Sequence, residues 1–254
     1  MATVISVTNQ KGGVGKTTSS INIAYCLAKA GKKTLLIDFD PQGNATSGLG
    51  VDKQALKNTM TEVITGKTEL KNIILPTLHK NLFIAPATPH LANTEVELSQ
   101  AEGRFTRLRN AVDSMKSYDF VIIDSPPSLS LLTVNGLIAA NYVLLPVQAE
   151  FYALEGLGQL LETMKIIRKG MNPTLELIGV LPTMMDGRTT LSGQVYEEIR
   201  KYFPGKVFDN PIPRNIRLAE APSHGLPVGA YDRFSKGARA YKAVTKEVLE
   251  RVGS

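Results

Sequence analysis

Residues 9–18 read Asn-Gln-Lys-Gly-Gly-Val-Gly-Lys-Thr-Thr, and this stretch decides the fold. An apolar, β-branched run at residues 3–7 precedes it, and a helical pattern at residues 19–30 follows it. A strand, a glycine-rich turn and a helix in this order are the setting that a phosphate-binding loop needs. Three glycines allow the backbone to turn its N–H groups inward onto phosphate oxygens. They are Gly12, Gly13 and Gly15.

The remaining loop residues add charge and a metal ligand. Lys16 opens the helix and supplies a point charge to the β- and γ-phosphates, and the Thr17 hydroxyl is placed to ligate Mg²⁺. Gln10 stands where the generic G-x-x-x-x-G-K-[ST] pattern has its first glycine, and a second lysine, Lys11, follows it. The sequence therefore predicts that the nucleotide phosphates are bound by Lys11, Gly12, Gly13, Val14, Gly15, Lys16, Thr17 and Thr18.

Residues 11–17, Lys-Gly-Gly-Val-Gly-Lys-Thr, resemble the deviant Walker A motif of the ParA/MinD/nitrogenase-iron-protein superfamily. The resemblance covers nearly the whole chain. Asp124-Ser-Pro-Pro resembles the family's D-x-P-P switch segment, and residues 146–156 resemble a ParA stretch. Residues 212–227 resemble the chromosomal ParA (Soj) type. The family implies that Lys11 reaches across a dimer to the partner's nucleotide, so the expected catalytic set is Lys11, Lys16 and Asp40.

Composition excludes several other classes of protein. The 254 residues are 43% hydrophobic and 20% charged. No apolar run approaches the ~18 residues of a membrane span, and residues 1–20 lack a signal-peptide layout, so we expect a cytoplasmic protein. Cys26 is the only cysteine, which excludes an intrachain disulfide and argues against the nitrogenase iron protein, whose cluster needs two cysteine ligands per subunit. The net charge of +6 fits an anionic partner.

Alternating strand and helix patterns predict an α/β fold, a doubly wound and mostly parallel sheet flanked by helices. We expect one P-loop ATPase domain over residues 1–254, with a basic DNA-binding surface mainly from residues 186–254. The predicted strands are 4–7, 33–38, 82–85, 119–124, 142–147 and 177–181. The predicted helices are 19–30, 131–140, 153–168, 192–203 and 235–252, with a further helical pattern over 95–115 broken near Gly103. Residues 51–80 suggest one or two short helices, and residues 206–234 look irregular.

Three carboxylates follow predicted strands. Asp38 and Asp40 flank Phe39, so on an extended strand end both point to one side. The resemblance assigns Asp40 to orienting the attacking water; the alternative is that Asp40 only caps the turn before Pro41. Asp124 ends an apolar run in the Walker B layout. We expect Asp124 to hold Mg²⁺ through water and Asp38 to lie behind the metal.

Two further parts of the nucleotide site come from the resemblance alone. Relatives use a glutamate at the position of Glu150 to contact the partner's ribose, although a glutamate there also suits a helix N-terminus. Relatives place adenine near a proline at the start of the Soj-like segment, which assigns the adenine edge to Pro211 and Pro213.

Basic residues crowd the last quarter of the chain. Arg188 and Arg217 match arginines that bind DNA in Soj-type ParA proteins. Arginine and lysine contacts to phosphate give affinity without sequence preference, and no recognition helix is evident, so we expect nonspecific binding. The alternative is a solvated basic face. The predicted DNA-binding residues are Arg188, Arg214, Arg217, Lys236, Arg239 and Lys242.

The last predicted helix distinguishes the relatives. MinD carries a membrane-binding amphipathic helix at its C-terminus, whereas here Tyr241, Val244, Val248 and Val252 form a narrow stripe without Phe, Trp or Leu anchors. We therefore expect this stripe to pack on the sheet and no membrane to be bound.

The resemblance implies a mechanism with ATP/ADP and Mg²⁺ as cofactors. ATP drives a sandwich homodimer that binds double-stranded DNA nonspecifically, and a ParB-type centromere-binding protein stimulates hydrolysis and release. This cycle segregates chromosome or plasmid DNA on the nucleoid. The alternatives are a MinD-like membrane-cycling ATPase and an ATP-dependent regulator of replication or transcription proteins.

Overall fold

A seven-stranded sheet forms the centre of the molecule. The structure is a computed structural model that describes residues 2–150 and 157–253. The strand order is β3-β4-β2-β5-β1-β6-β7, and every neighbouring pair is parallel except β3 and β4. The strands are β1 Thr3–Val7, β2 Thr34–Asp38, β3 Leu75–Pro76, β4 Leu82–Ala85, β5 Phe120–Asp124, β6 Tyr142–Gln148 and β7 Glu176–Thr183. The predicted α/β, mostly parallel sheet is confirmed.

Helices cover both faces of the sheet, as the continuous apolar runs of its strands require. The α-helices are α1 Lys16–Lys29, α2 Asn44–Gly48, α3 Met60–Ile64, α4 Leu91–Leu98, α5 Arg107–Val112, α6 Leu131–Ala139, α7 Leu157–Gly170, α8 Thr190–Tyr202, α9 Ile216–Glu220, α10 Val228–Tyr231 and α11 Lys236–Arg251. Short 3-10 helices span Lys53–Ala55, Leu70–Asn72 and Ala221–His224. One core packs α3 to α8 on the sheet, and the other packs α1, α2, α10 and α11 on its opposite face.

Several predicted boundaries differ from the structure. The pattern over 95–115 is two helices, α4 and α5, and Gly103 between them has a φ of 69° that no helix accommodates. Residues 206–234 were expected to be irregular but contain α9, α10 and a 3-10 helix. The two-residue edge strand β3 was not predicted, because it is too short to show a period. Of the helix predicted at 153–168, residues 153–156 lie outside the described residues.

The apolar stripe of α11 faces inward. Tyr241, Val244 and Val248 are buried in the core shared with α1, and the Tyr241 hydroxyl lies 3.0 Å from Ser19 Oγ. Val252 is partly buried against the same core. The stripe is thus used in packing, and none of the helices described is long and apolar enough to cross a membrane.

Candidate functional site

The glycine-rich loop lies at the carboxyl edge of the sheet, between β1 and α1. Gly13 and Gly15 take left-handed φ values of 75° and 88°, which side chains rarely tolerate. Thr183 Oγ1, at the end of β7, donates a hydrogen bond to Val14 O at 2.8 Å. Asn9 Nδ2 donates to the Pro146 carbonyl of β6 at 2.7 Å. Two neighbouring strands therefore fix the loop conformation from both ends.

The two loop lysines have different environments. Lys16 is buried, and its Nζ donates to the Lys11 carbonyl at 2.9 Å. Burial lowers the pKa of Lys16, while the charges of Asp124 and Asp40 oppose that change. Lys11 points outward: its side chain is 40% exposed, and its Nζ lies 3.6 Å from a Glu150 carboxylate oxygen. Lys16 is thus held inside the loop, and Lys11 lies at its exposed edge.

Asp124 is a buried carboxylate with one oxygen left over. It is fully buried at the end of β5, and Oδ1 accepts a hydrogen bond from Ser20 Oγ at 2.9 Å. Within the described part of the chain, nothing donates to Oδ2. Burial, then the charge of Asp38, raises the pKa of Asp124 to about 8, and the hydrogen bond from Ser20 opposes this rise. A buried oxygen without a partner beside a hydroxyl is a donor set that suits a hard cation.

The donor set fits a Mg²⁺ ion that is bound together with a nucleotide. Residues 2–150 and 157–253 contain no group of three His, Cys, Asp or Glu side chains that would hold a metal. Mg²⁺ commonly binds through one or two protein oxygens and completes its octahedron with phosphate and water. Thr17 and Asp124 match that pattern, and the nucleotide would supply the other oxygens.

Both carboxylate oxygens of Asp38 accept hydrogen bonds from nearby residues of the chain. Its Oδ2 accepts hydrogen bonds from the Thr46 backbone N–H and hydroxyl at 2.7 and 2.6 Å, and its Oδ1 accepts one from the Asp40 N–H at 3.3 Å. Burial raises the pKa of Asp38 to about 6, and the Thr46 hydrogen bonds oppose that rise. These contacts hold α2 and the loop before it against β2. The metal role of Asp38 stays a prediction, and the contacts give it a positioning role.

Asp40 lies close to the charged groups of the site. It is 5% exposed, and its charge acts on Lys16 and Asp124. Its Oδ1 accepts a hydrogen bond from the Gln42 N–H at 2.9 Å, so the turn-capping role considered from the sequence is present. Capping uses one oxygen and leaves the other for a water molecule, so the two roles are compatible.

The predicted adenine edge lies next to the strand that anchors the loop. Ile212, between Pro211 and Pro213, donates its N–H to the Pro182 carbonyl at 2.8 Å. Pro182 adjoins Thr183, which bonds the glycine-rich loop.

Thr17 and Thr18 line a cavity of about 420 Å³ between α1, α2 and the 3-10 helix at Ala221–His224.

The predicted DNA-binding residues lie on the surface in two groups. Arg188, Arg214 and Arg217 are exposed in segments close to the predicted adenine edge at Pro211 and Pro213. Lys236, Arg239 and Lys242 are exposed along α11, opposite its buried stripe. Their spacing of three residues keeps the cations on one side of the helix.

Sequence reasoning missed the side chains that hold the site together. They are Asn9, Ser20, Thr46 and Thr183. Only Ser20 carried a signal, since it lies one helical turn after Lys16 and shares its face. The others depend on contacts between distant strands.

Comparison with known proteins agrees with this geometry. The family model described as an AAA domain matches residues 2–177. The chain is 51% identical to the sporulation initiation inhibitor protein Soj of Bacillus subtilis, over 98% of each chain. It is 46% identical to the chromosome-partitioning ATPase Soj of Treponema pallidum, over 100% of this chain and 99% of the relative.

A solved structure also resembles the chain over its length. Cobyrinic acid a,c-diamide synthase from Mycobacterium smegmatis, solved with bound ADP and magnesium, superposes with a TM-score of 0.88 at 37% identity, covering 100% of this chain and 96% of that one. The glycine-rich loop between β1 and α1, the buried carboxylates at the strand ends and these matches together show that the chain belongs to the ParA/Soj family of chromosome-partitioning ATPases.

Proposed function

We propose that the chain hydrolyses ATP in a cycle of dimerisation on DNA. ATP joins two copies into a sandwich dimer, the dimer binds double-stranded DNA without sequence preference, and hydrolysis separates it. A ParB-type centromere-binding protein stimulates the hydrolysis, so that the cycle moves chromosome or plasmid DNA on the nucleoid, within the cytoplasm. Residues 1–254 act as one ATPase domain, and residues 186–254 contribute most of the DNA-binding surface.

The observation that carries this proposal is the contrast between the two loop lysines. Lys16 is buried and bonded within its own loop, so its charge serves the phosphates of its own subunit. Lys11 extends into solvent next to Glu150. The pair they form is exposed and contributes about 0–1 kcal/mol, so a partner's triphosphate would readily displace Glu150 from Lys11. Glu150 would then be free to contact the partner's ribose.

The chain's own residues account for hydrolysis. The backbone N–H groups of the glycine-rich loop and Lys16 bind the β- and γ-phosphates. Thr17 and Asp124 would hold Mg²⁺, which when bound neutralises phosphate charge. Asp40 orients the attacking water from a site close to both Lys16 and Asp124. Positioning and charge stabilisation are what phosphoryl transfer requires.

The basic residues support DNA binding because there are several of them, and not because they form an element that recognises base sequence. The six cations named above reach only phosphate, so each gives affinity without reading sequence. Joining two subunits doubles this set and converts the second contact into an intramolecular one, which raises avidity. DNA affinity should therefore follow the nucleotide state.

Fluorescence anisotropy tests this proposal with two labelled duplexes of equal length and unrelated sequence. With ATP, Asp40→Ala should remain bound to both duplexes with equal affinity for longer than the wild-type protein. Arg217→Ala should weaken binding to both equally and keep ATPase activity. Arg168→Ala, at the end of α7 and away from this surface, is the matched control and should bind like wild type. Binding that ignores ATP, or that differs between the two duplexes, would refute the proposal.

A further inference from the structure

Arg188 is held by a carboxylate two residues before it. Its Nε and Nη2 donate to the two oxygens of Asp186 at 2.9 and 2.7 Å, and its backbone N–H donates to the same carboxylate at 3.1 Å. Asp186 also feels the charge of Arg214, and the hydrogen bonds from Arg188 hold the pKa of this carboxyl well below its usual range. The Nε–Nη2 edge is the fork through which arginine grips carboxylate or phosphate bidentately. In this structure the Nε–Nη2 edge of Arg188 is bound by Asp186.

Arg217 is paired with two acids through separate nitrogens. Its Nη1 donates to Glu220 Oε2 at 2.8 Å, and its Nε lies 3.5 Å from Asp232 Oδ2. The guanidinium also lies 6.0 Å from the centre of the Tyr231 ring. Both arginines remain accessible, with side chains 84% and 46% exposed. Access to them is therefore limited by charge pairing and not by burial.

Three predicted DNA-binding cations on the first two turns of α11 differ in this respect. Within the described ranges, no carboxylate lies within ion-pair distance of Lys236, Arg239 or Lys242. Among the six predicted DNA-binding cations, the described ion pairs therefore involve only Arg188 and Arg217.

We propose that Asp186, and Glu220 together with Asp232, are internal competitors for DNA phosphate that keep the affinity of a single subunit low. This inference rests on the proposed function, because it concerns the same DNA surface. To reach a phosphate, each arginine must first release its carboxylate. An exposed pair of this kind shifts an equilibrium by up to about fivefold, so two arginines lower the affinity of one subunit by up to about 25-fold. The dimer carries this cost in both subunits but gains avidity, so the competition keeps a single subunit off DNA at concentrations at which the dimer still binds.

Asp186→Asn removes the competing charge and keeps an oxygen that accepts from the Arg188 N–H, so the local turn is preserved. Its affinity for a labelled 30-base-pair duplex of arbitrary sequence is measured by anisotropy with a nonhydrolysable ATP analogue. Both subunits of the analogue-bound dimer carry the substitution, so we expect binding about 2- to 25-fold tighter than wild type. Glu220→Gln should act in the same direction through Arg217. Glu198→Gln, on α8, changes the net charge equally without touching an arginine fork and should have a smaller effect.

A double-mutant cycle separates competition from general charge. Asp186→Asn should tighten binding in the wild-type background and have no effect in the Arg188→Ala background. An equal gain in both backgrounds would mean that only long-range charge matters, and a loss of affinity would mean that Asp186 positions Arg188 for DNA. Either result overturns the inference, while a wild-type protein that binds no DNA would refute the proposed function itself. Matching thermal melts would show that the variants fold.

Discussion

Replacing Asp124 with asparagine should stabilise the nucleotide-free protein at neutral pH. The carboxylate is fully buried and pairs in register with Asp38 on the adjacent strand. Burial, and then the charge of Asp38, raises its pKa to about 8 from an ordinary 3.8. Above pH 4 the folded protein keeps a proton that the unfolded chain releases. The free energy of unfolding of the wild-type protein should therefore fall as the pH rises from about 4 to about 8.

The size of the effect follows from this interval. The ordinary pKa of 3.8 lies about 3.2 pH units below pH 7. Keeping the native carboxyl protonated at pH 7 therefore lowers the free energy of unfolding by about 4 kcal/mol. Asparagine places an amide where Oδ2 makes no described hydrogen bond, and an unpaired buried amide costs about 1–3 kcal/mol. The net gain at pH 7 is about 2 kcal/mol, or roughly 4–8 °C in Tm for a chain of this size. At pH 4 only the cost of the amide remains, so the sign reverses.

Urea unfolding, followed by circular dichroism without nucleotide, measures the change in the free energy of unfolding at pH 4 and pH 7. The control is Asp119→Asn. Asp119 is an exposed residue that directly precedes β5, and it accepts a hydrogen bond from the Lys33 N–H. That variant removes an exposed charge and leaves the buried pair of Asp38 and Asp124 intact, so it should not reproduce the reversal of sign. If Asp124→Asn is equally destabilised at both, the reasoning about the buried carboxylate pair is wrong.

Three further predictions concern the site and its support. Lys16→Ala should abolish ATP binding in calorimetry, because no other side chain occupies its position at the phosphates; retained binding would refute the assignment. Thr183→Val keeps the volume but loses the bond to Val14 O, so ADP affinity should fall about fivefold, and unchanged affinity would show that β7 does not organise the loop. Tyr241→Phe should lower the free energy of unfolding by about 1 kcal/mol in urea titrations, since it leaves Ser19 Oγ without a partner. A neutral effect would show that the hydroxyl pair adds no net stability.

The sequence predicted the central strands of the sheet better than it predicted the edge strand and the short helices. Strands such as β5 are short, apolar and bounded by turn residues, so their positions followed from pattern alone. The loop at residues 9–18 placed α1 correctly because a phosphate-binding turn must end in a helix. The edge strand β3 and the helices α9 and α10 are two to five residues long, which is less than a period needs to show.

The supporting contacts of the site could not have been derived from local pattern. Thr46 binds Asp38 from eight residues away, and Thr183 reaches Val14 from across the chain. Such pairs depend on which strands become neighbours. The same limit applies to Arg217, whose sequence neighbourhood shows its charge but not that Asp232 returns to face it.

The proposed cycle depends on ATP joining two copies of the chain, and sedimentation velocity measures this association directly. With a nonhydrolysable ATP analogue and Mg²⁺, the protein should sediment as a dimer, and adding duplex DNA of arbitrary sequence should move all of it into a faster complex. Lys11→Ala should bind the analogue but stay monomeric. A wild-type protein that is saturated with the analogue, yet remains monomeric and does not associate with DNA, would contradict the account.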